Sequence, residues 1–471
     1  VEVEGTVFFN EAEAVCDLEA PEPETLEPAP ERRKKATGKK AQDMSGLPTN
    51  RIDHYMTEEE LTAEFGENGW KQLPDAITRR YRFIPAKVAV DEHHVGVYAS
   101  KTDGHMIKAK HPKSLLHGSP VSASLAAAVM NGKYVNAVPL YRLEQEFLRY
   151  GLAITRQNMA NWTIQCAERY LAVLYDHLHE AMYHYHVLQA DETPVLVNKD
   201  GRPAGAKSYM WVYRTGQMYE GRQIILYEYQ KTRNASHPRE FLRGFSGICV
   251  TDGYQVYHTV EKEREDLKTA GCWSHARRRY DEAVKALPKA KQKDSRAYLA
   301  LTMIQAIYRE EKQLKGLPAE ERRDRRQWSV RPLVEAYFAW IKENLPKVPQ
   351  KSKTWEGFQY SIHQERYLKV FLDDGEVPMD NNAAEQSIRG FCIGKKNWVM
   401  IDTVAGAKAS AIIYSIAETA KANGLKPYDY FEHLLTEIPK HLDDTDRGFL
   451  EDLLPWSPNL PANCRKSGKE K

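Results

Sequence analysis

Cysteine is scarce and scattered in this chain. The six are Cys16, Cys166, Cys249, Cys272, Cys392 and Cys464, and no two form a CxxC pair. That spacing excludes both a disulfide scaffold and a zinc ribbon and fits a reducing cytosol. Long apolar runs are missing too. None reaches the length of a bilayer span, and the N-terminal stretch has no signal-peptide pattern, so a cytoplasmic protein with no membrane partner is expected. Charge of one sign is also absent, since 67 Lys and Arg stand against 65 Asp and Glu, a net +2. Overall charge therefore announces no nucleic acid, and any such argument rests on local charge. What is present is ordinary globular material. Of 471 residues 42% are apolar, enough for real cores in two or three domains.

Read in order, residues 1–50 form a flexible arm. Up to Glu31 there are ten acidic residues and no Lys or Arg; Arg32, Arg33, Lys34, Lys35, Lys39 and Lys40 then make a basic block. Like-charge blocks with prolines between them stay solvated. The arm either touches phosphates or serves as a linker. Residues 51–117 read as a small α+β domain, with strands over Tyr81 to Val90 and His94 to Ala99. Its histidines (His93, His94, His105, His111, His117) match no familiar metal spacing.

Residues 118–185 read as helices: Ser122 to Met130, Pro139 to Arg149, then Thr155 capping a long segment from Arg156 to about Tyr185. Gly151 breaks the chain between the last two. A helix, a glycine turn and a helix with Arg156, Gln157 and Asn158 at its N-terminus suit a DNA-reading unit; an ordinary helical bundle has the same pattern.

The texture then changes to strands. His186 to Val197 is the first, interrupted by Asp191-Glu192-Thr193-Pro194. Ser208 to Arg214 and Gln223 to Tyr229 follow. A short helix over Pro238 to Phe245 precedes a fourth strand, Gly247 to Thr251, which runs into Asp252-Gly253-Tyr254. Thr269 to Cys272 makes a fifth. Three strands, a helix and a strand define an α/β unit with a mixed sheet. A helix over Ser274 to Leu287 carries Arg277, Arg278 and Arg279. Two more over residues 294 to about 345 form an all-helical insertion, bounded at about 288–356. Gly406 to Ala422 and Tyr428 to Leu435 are further helices, and 440–471 reads as a loose tail.

The stretch Asp380 to Trp398 ties these parts together. Asp and Asn cap helices, so a helix begins near Asp380 to Asn382. Glu385 then sits in its first turns, where the helix dipole favours a carboxylate, and Arg389 shares its face. Lys395 and Lys396 follow. Alone, this is a capped helix with one surface salt bridge. Asp191 and Asp252 change that reading. In a mixed sheet the first and fourth strands are neighbours, which sets the two aspartates side by side, and a helix after the insertion brings Glu385 to the same edge. Three acids at one point repel unless cations neutralise them, and hard oxygen ligands suit Mg²⁺ or Mn²⁺. Two such ions can clamp an in-line attack at phosphorus.

Ala190-Asp191-Glu192-Thr193-Pro194, Thr251-Asp252-Gly253-Tyr254, Cys272-Trp273-Ser274-His275-Ala276-Arg277-Arg278 and Asp380-Asn381-Asn382-Ala383-Ala384-Glu385 together resemble the large DDE transposase of the insertion-sequence family sixty-six. Pro139-Leu140-Tyr141-Arg142 and Asn161-Trp162 resemble that family's preceding helical region. The resemblance spans roughly residues 50–456. It implies an RNase H-like catalytic domain over 186–425, followed by a C-terminal helix and tail over 426–471. It implies metal-dependent DNA cleavage and strand transfer, with Asp191, Asp252 and Glu385 as catalytic metal ligands. It also implies terminal inverted repeats and target DNA as partners, accessory proteins of the same element, a homo-oligomer on DNA and a nucleoid-associated location. In one respect the chain departs from the family: the cysteine-based, zinc-finger-like segment has no cysteine between Phe65 and Ile107, so no zinc is expected.

DNA contacts are expected at Arg156, Gln157, Asn158, Arg277, Arg278, Arg389, Lys395 and Lys396. Arg277 and Arg278 either meet DNA or brace Asp252, and Trp398 either holds a DNA end or joins the core. Cys272 and His275 read as a packed strand end leading into a helix. Two other functions fit the sequence: a non-catalytic protein that binds or represses element ends, and an RNase H-like nuclease without strand transfer.

Overall fold

The computed structural model describes residues 49–466, apart from 68, 75–76, 78–79, 81–85, 100, 102–104, 111–112 and 204. All but the end of the expected arm, and the first half of the strand expected over Tyr81 to Val90, lie outside the described residues; residues 86–90 form no strand. The chain divides into two compact units, Val1–Tyr81 and Arg82–Lys471.

In the first unit, Thr57 opens the helix Glu58–Phe65 with a capping box. Its hydroxyl accepts from the Glu60 N–H (3.3 Å) and its own N–H donates to the Glu60 carboxylate (2.7 Å). The helix buries none of its residues. In the second unit, β1 (Val97–Ala99) and β2 (Met106–Lys108) pair antiparallel, again with every residue exposed. The small α+β domain expected over 51–117 thus has short elements, but among the described residues no side chain before Leu115 is buried. Three-residue strands and one two-turn helix present too little apolar surface to close a core.

From Leu115 onward the chain packs. Ser122 caps the helix Ala123–Met130 through its hydroxyl, which accepts from the Leu125 N–H. Leu140–Arg149 follows, then a turn in which Gly151 takes φ +83°, a backbone state that glycine adopts without strain. Arg156–Cys166 and Ala172–Met182 are joined by a π-helical turn, Ala167–Leu171, into one long segment.

The sheet behind these helices has the order β5-β4-β3-β6-β7, with β8 also on β3. β3 (Val187–Lys199), β4 (Lys207–Thr215) and β5 (Ile225–Gln230) are antiparallel. β6 (Gly247–Thr251) runs parallel to β3, and β7 (Leu267–Gly271) parallel to β6. β8 (Ile401–Thr403) runs parallel to the far end of β3. The β5 edge is closed by the helix Val404–Ala422: the Ile225 and Tyr227 N–H groups donate to the hydroxyls of Thr419 (3.0 Å) and Ser415 (2.7 Å). Hydroxyls on a covering helix thus occupy donors that an open edge strand would leave free.

β3 is not interrupted at Asp191–Pro194, as the sequence suggested. It runs straight through, with Pro194 opposite Tyr209. β6 pairs with β3 only through Gln189, and β8 takes over at Val197, so residues 190–196 have one open edge. The Pro194 carbonyl accepts there from Lys395 Nζ (2.8 Å). A strand residue's N and C=O point to the same side, so the missing proline N–H faces the open edge, where no ladder bond is lost.

A second core belongs to the helical insertion. Trp273, Tyr280, Tyr337, Phe338 and Phe358 are its largest buried rings. They are contributed by the helices Trp273–Lys285, Arg331–Asn344 and Lys353–Leu368. The last of these lies mostly beyond the boundary expected near 356. Ser352 caps it through its hydroxyl, which accepts from the Trp355 N–H, and its buried Phe358 and Leu368 make it part of this core. Arg326, 1% exposed, joins Glu311 to the carbonyls of Phe371, Asp374 and Val377. The C-terminal stretch is not the loose tail expected over 440–471. Leu450, Leu453, Leu454 and Leu460 are buried, Tyr430 Oη donates to the Leu453 carbonyl, and Lys426 N–H to the Cys464 carbonyl. Spaced leucines among polar residues hid this packing.

Candidate active site

Asp191 lies on the open-edged stretch of β3, and Asp252 directly follows β6, the parallel neighbour. Carboxylate oxygens of Asp191, Glu192 and Asp252 come within 4.8 Å of one another. They form an acidic triad able to hold a divalent cation. Each aspartate is set by a local hydrogen bond: Asp191 Oδ1 accepts from the Glu192 N–H (2.8 Å) and Asp252 Oδ1 from the Tyr254 N–H (2.9 Å).

The electrostatics are those of crowded acids. Burial, then the Glu192 and Asp252 charges, push the Asp191 carboxyl up to about 8; Glu385 adds to the rise. Glu192 is raised as well, by burial and by Asp252, against the pull of Arg233 and Tyr257. Arg233 pairs with Glu192, its Nε donating at 2.8 Å, while Tyr257 Oη donates to the other oxygen at 3.2 Å. The Arg233 guanidinium is itself stacked 3.6 Å over the Tyr254 ring. Sequence reasoning missed Glu192 as a member of this cluster. Its place beside Asp191 was the available signal, although neighbouring strand residues ordinarily face opposite sides.

Glu385 enters from the helix Asn382–Trp398. It lies within electrostatic reach of Asp191, but its nearest partners are on the helix that follows β7. Arg278 donates to Glu385 Oε2 at 3.2 Å, and His275 Nδ1 lies 3.7 Å from Oε1. The cation paired with Glu385 is therefore Arg278, not Arg389 four residues on, which is exposed. Arg278 braces Glu385 rather than Asp252. Glu385 Oε1 and His275 Nδ1 are both buried without a hydrogen-bond partner. His275 is held below its ordinary range, chiefly by burial, against the attraction of Asp252 and Glu385. An orphaned carboxylate oxygen within electrostatic reach of acids that resist ionisation fits a site built for a cation.

Cys272, His275 and Glu385 also lie within 4.8 Å. Burial pushes the Cys272 thiol up to about 12, and its sulfur accepts from the Asn381 N–H at 3.1 Å. Its sulfur is thus engaged by the start of the Glu385 helix, whereas the carboxylates present hard oxygen donors of the kind Mg²⁺ or Mn²⁺ takes.

Asn381, 0% exposed, was not singled out from sequence and joins the pieces. Its Nδ2 donates to the Ala190 carbonyl (2.8 Å) and its Oδ1 accepts from Gln189 Nε2 (3.2 Å). Asp380 does the capping instead, accepting from the Asn382 N–H. One Asn thus clamps the Glu385 helix to β3 one residue before Asp191.

Of the other expected positions, Arg156, Gln157 and Asn158 are exposed at their helix start. Arg156 lies 5.9 Å from the Tyr141 ring. Arg277 and Lys396 are exposed. Lys395 is half-buried and donates to Pro194 O and, at 3.4 Å, to Thr193 Oγ1. Trp398 packs edge-on against Phe391, at the margin of the core. Among the described residues, no helix is long and apolar enough to cross a membrane.

Fold and site together define a helical and mixed-sheet protein with an acidic cluster at the edge of its central strand, an architecture consistent with the DDE transposases. The profile of the transposase IS66 family matches residues 118–409, and that of the IS66 C-terminal element matches 415–456. The chain belongs to the IS66 transposase family. It is similar to two Sinorhizobium fredii proteins. Uncharacterized protein y4qI is 29% identical over 390 residues, covering 81% of this chain and 70% of that one. Uncharacterized protein y4jD is 25% identical over 383 residues, covering 79% and 73%. Among solved structures, the Mos1 transposase paired-end complex with left transposon end covers 56% of this chain and 82% of its own at 12% identity. The TM-score of that match is 0.14.

Proposed function

We propose that this chain is a DDE transposase that cleaves DNA at the ends of its element and joins the freed strand to target DNA. The observation that carries the reading is the meeting of the Asp191 and Asp252 carboxylates at two adjacent parallel strands, in a member of a transposase family. Three antiparallel strands followed by two parallel ones, with helices inserted before Glu385, support an RNase H-like catalytic domain.

Asp191, Asp252 and Glu385 are the residues that would hold Mg²⁺ or Mn²⁺. Such an ion, when bound, lowers the pKa of an attacking water or DNA 3′-hydroxyl and stabilises charge on the leaving oxygen. The protein's own part is preorganisation. Asn381 fixes the Glu385 helix against β3, Arg278 orients Glu385, and Arg233 keeps Glu192 paired so that it does not compete with Asp191 for a proton. Exposed Arg156, Gln157 and Asn158 suit the reading of an element end, with Arg277, Arg389 and Lys396 as phosphate contacts nearer the acids. Lys395, given its bond to Pro194, acts on β3 rather than on DNA. Bringing two ends together calls for at least two copies, and accessory proteins of the same element complete the machinery.

The test is a product analysis. Labelled linear DNA carrying the element's own ends is incubated with the protein and Mg²⁺ or Mn²⁺, then sequenced. Nicks at the element boundary that leave 3′-hydroxyls, followed by joined strand-transfer products, are expected. Cleavage without joining would replace this reading with a nuclease, and binding without cleavage, even with extract from cells carrying the element, would replace it with a non-catalytic DNA-binding protein.

A further inference from the structure

Gly253, the residue after Asp252, opens onto a cavity of about 520 Å³, within the roughly 300–1,000 Å³ range of small-molecule sites. Its wall includes His258, Lys262, Arg279, Tyr360 and Gln364, and no acidic side chain lines it. Two buried polar groups in that wall are unsatisfied. His258 is 3% exposed and its Nε2 has no hydrogen-bond partner; Gln364 is 9% exposed and its Oε1 has none. Such atoms destabilise a fold unless something else completes their hydrogen bonds.

The surroundings say what that would be. Lys262 is exposed, and the Arg279 guanidinium lies 4.4 Å over the Tyr360 ring. Both are cations suited to a phosphate. Tyr360 Oη donates to the Asp252 carbonyl at 3.0 Å, which ties the cavity wall to the acidic cluster. Gly253 has φ +89°, and a Cβ there would meet Gln364 Oε1 at 3.0 Å and Tyr360 Oη at 3.1 Å. A side chain at this position would crowd both polar groups, and glycine keeps them clear. The His258 imidazole is neutral, its pKa pushed down to about 4 by burial and by Lys262 and Arg366. It thus offers one ring nitrogen for neutral hydrogen bonding rather than a third charge.

We infer that this cavity holds one nucleotide of the bound DNA strand next to the acidic cluster. Lys262 and Arg279 take its phosphate, and Gln364 Oε1 and His258 Nε2 pair with the edge of its base. An N–H on the base donates to the Gln364 oxygen. The inference rests on the transposase reading and adds to it a position-specific nucleotide contact.

The experiment places a single abasic site at each position around the cleavage point of labelled element-end duplex and measures binding in Ca²⁺ and cleavage in Mg²⁺. The expected result is one position near the cut where loss of the base weakens binding about tenfold. In Gln364→Leu that penalty disappears while penalties elsewhere stay. Lys262→Ala, an exposed substitution that leaves the packing intact, lowers the slope of log affinity against log salt by about one. Wild-type protein that binds and cuts the ends with no such position, or Gln364→Leu that keeps the penalty, overturns this inference and leaves the transposase reading standing. If the wild-type protein neither binds nor cuts element ends, both fall together.

Discussion

Replacing Asp191 by Asn isolates the cost of crowding acids at this site. In the folded chain the Asp191 carboxyl is pushed from 3.8 to about 8, first by burial and then by Glu192 and Asp252. Unfolded, it ionises at its ordinary value. Between about pH 4 and pH 8 the folded protein therefore holds a proton that the unfolded chain releases. The folded state binds more protons, so this group's contribution to stability falls as pH rises through that window and is flat above it. At about 1.36 kcal/mol per decade the full span is roughly 6 kcal/mol. Asp191 is only half-buried, and water and salt reduce this to about 2–3 kcal/mol. Asn keeps the carbonyl that accepts from the Glu192 N–H and cannot ionise. Without divalent metal, Asp191→Asn is therefore expected to be more stable than wild type by about 2–3 kcal/mol at about pH 8, and nearly equal to it at about pH 4. Saturating Mg²⁺ closes most of that gap, since about 100 Kd of ligand stabilises wild type by about 2.7 kcal/mol and the variant by less. Urea unfolding followed by circular dichroism across this pH range, in EDTA and in Mg²⁺, reads all three. A variant less stable than wild type at about pH 8 in EDTA, or a gap that does not change with pH, would refute the electrostatic account.

Other consequences are smaller in scope. Asn381→Ala leaves the Ala190 carbonyl and Gln189 amide without their partner and should cost about 2–4 kcal/mol in urea unfolding; a loss below about 0.5 kcal/mol would mean that the clamp carries no load. Arg233→Met strips Glu192 of its cation, with an expected loss of about 1–3 kcal/mol, reduced from the fully buried case because Arg233 is partly exposed; Glu192→Gln in the same background should restore most of it, and no recovery would remove the pair from the account. Lys396→Met should lower the salt dependence of DNA binding by about one counterion, whereas Lys395→Met, whose amine is engaged with Pro194, should lower stability and leave the salt slope alone; equal slopes for the two variants would count against the distinction.

What the sequence made legible follows from local signals. Asp191 and Asp252 stand out because each follows an apolar strand pattern, and neighbouring strands then bring them together. The Glu385 helix is legible from its Asp-Asn-Asn start. What escaped is tertiary. Nothing local says that Glu385 would be paired by Arg278 from another helix rather than by Arg389 on its own face, or that Asn381 would give its side chain to β3 and leave the capping to Asp380. Pro194 looked like a strand breaker because the sequence does not reveal that β3 has an open edge there. The strength of the Glu192–Arg233 pair depends on burial, which a strand pattern does not report. The region before Leu115 shows the opposite failure: its alternation suggested strands, but among its described residues the two three-residue strands and the two-turn helix bury no side chain.

On the proposed reading, three carboxylates, not DNA binding as such, make this protein act on DNA. The most direct measurement follows binding and cleavage of one labelled element-end duplex in the same tubes, in Mg²⁺ and in EDTA, for wild type, Asp191→Asn, Asp252→Asn and Glu385→Gln. The account predicts that all four proteins retain the duplex, with affinities within about threefold, less than the ~1 kcal/mol of a single good contact, and that only wild type in Mg²⁺ cuts it. Cleavage by any of the three variants at the wild-type rate, or by wild type in EDTA, would contradict it.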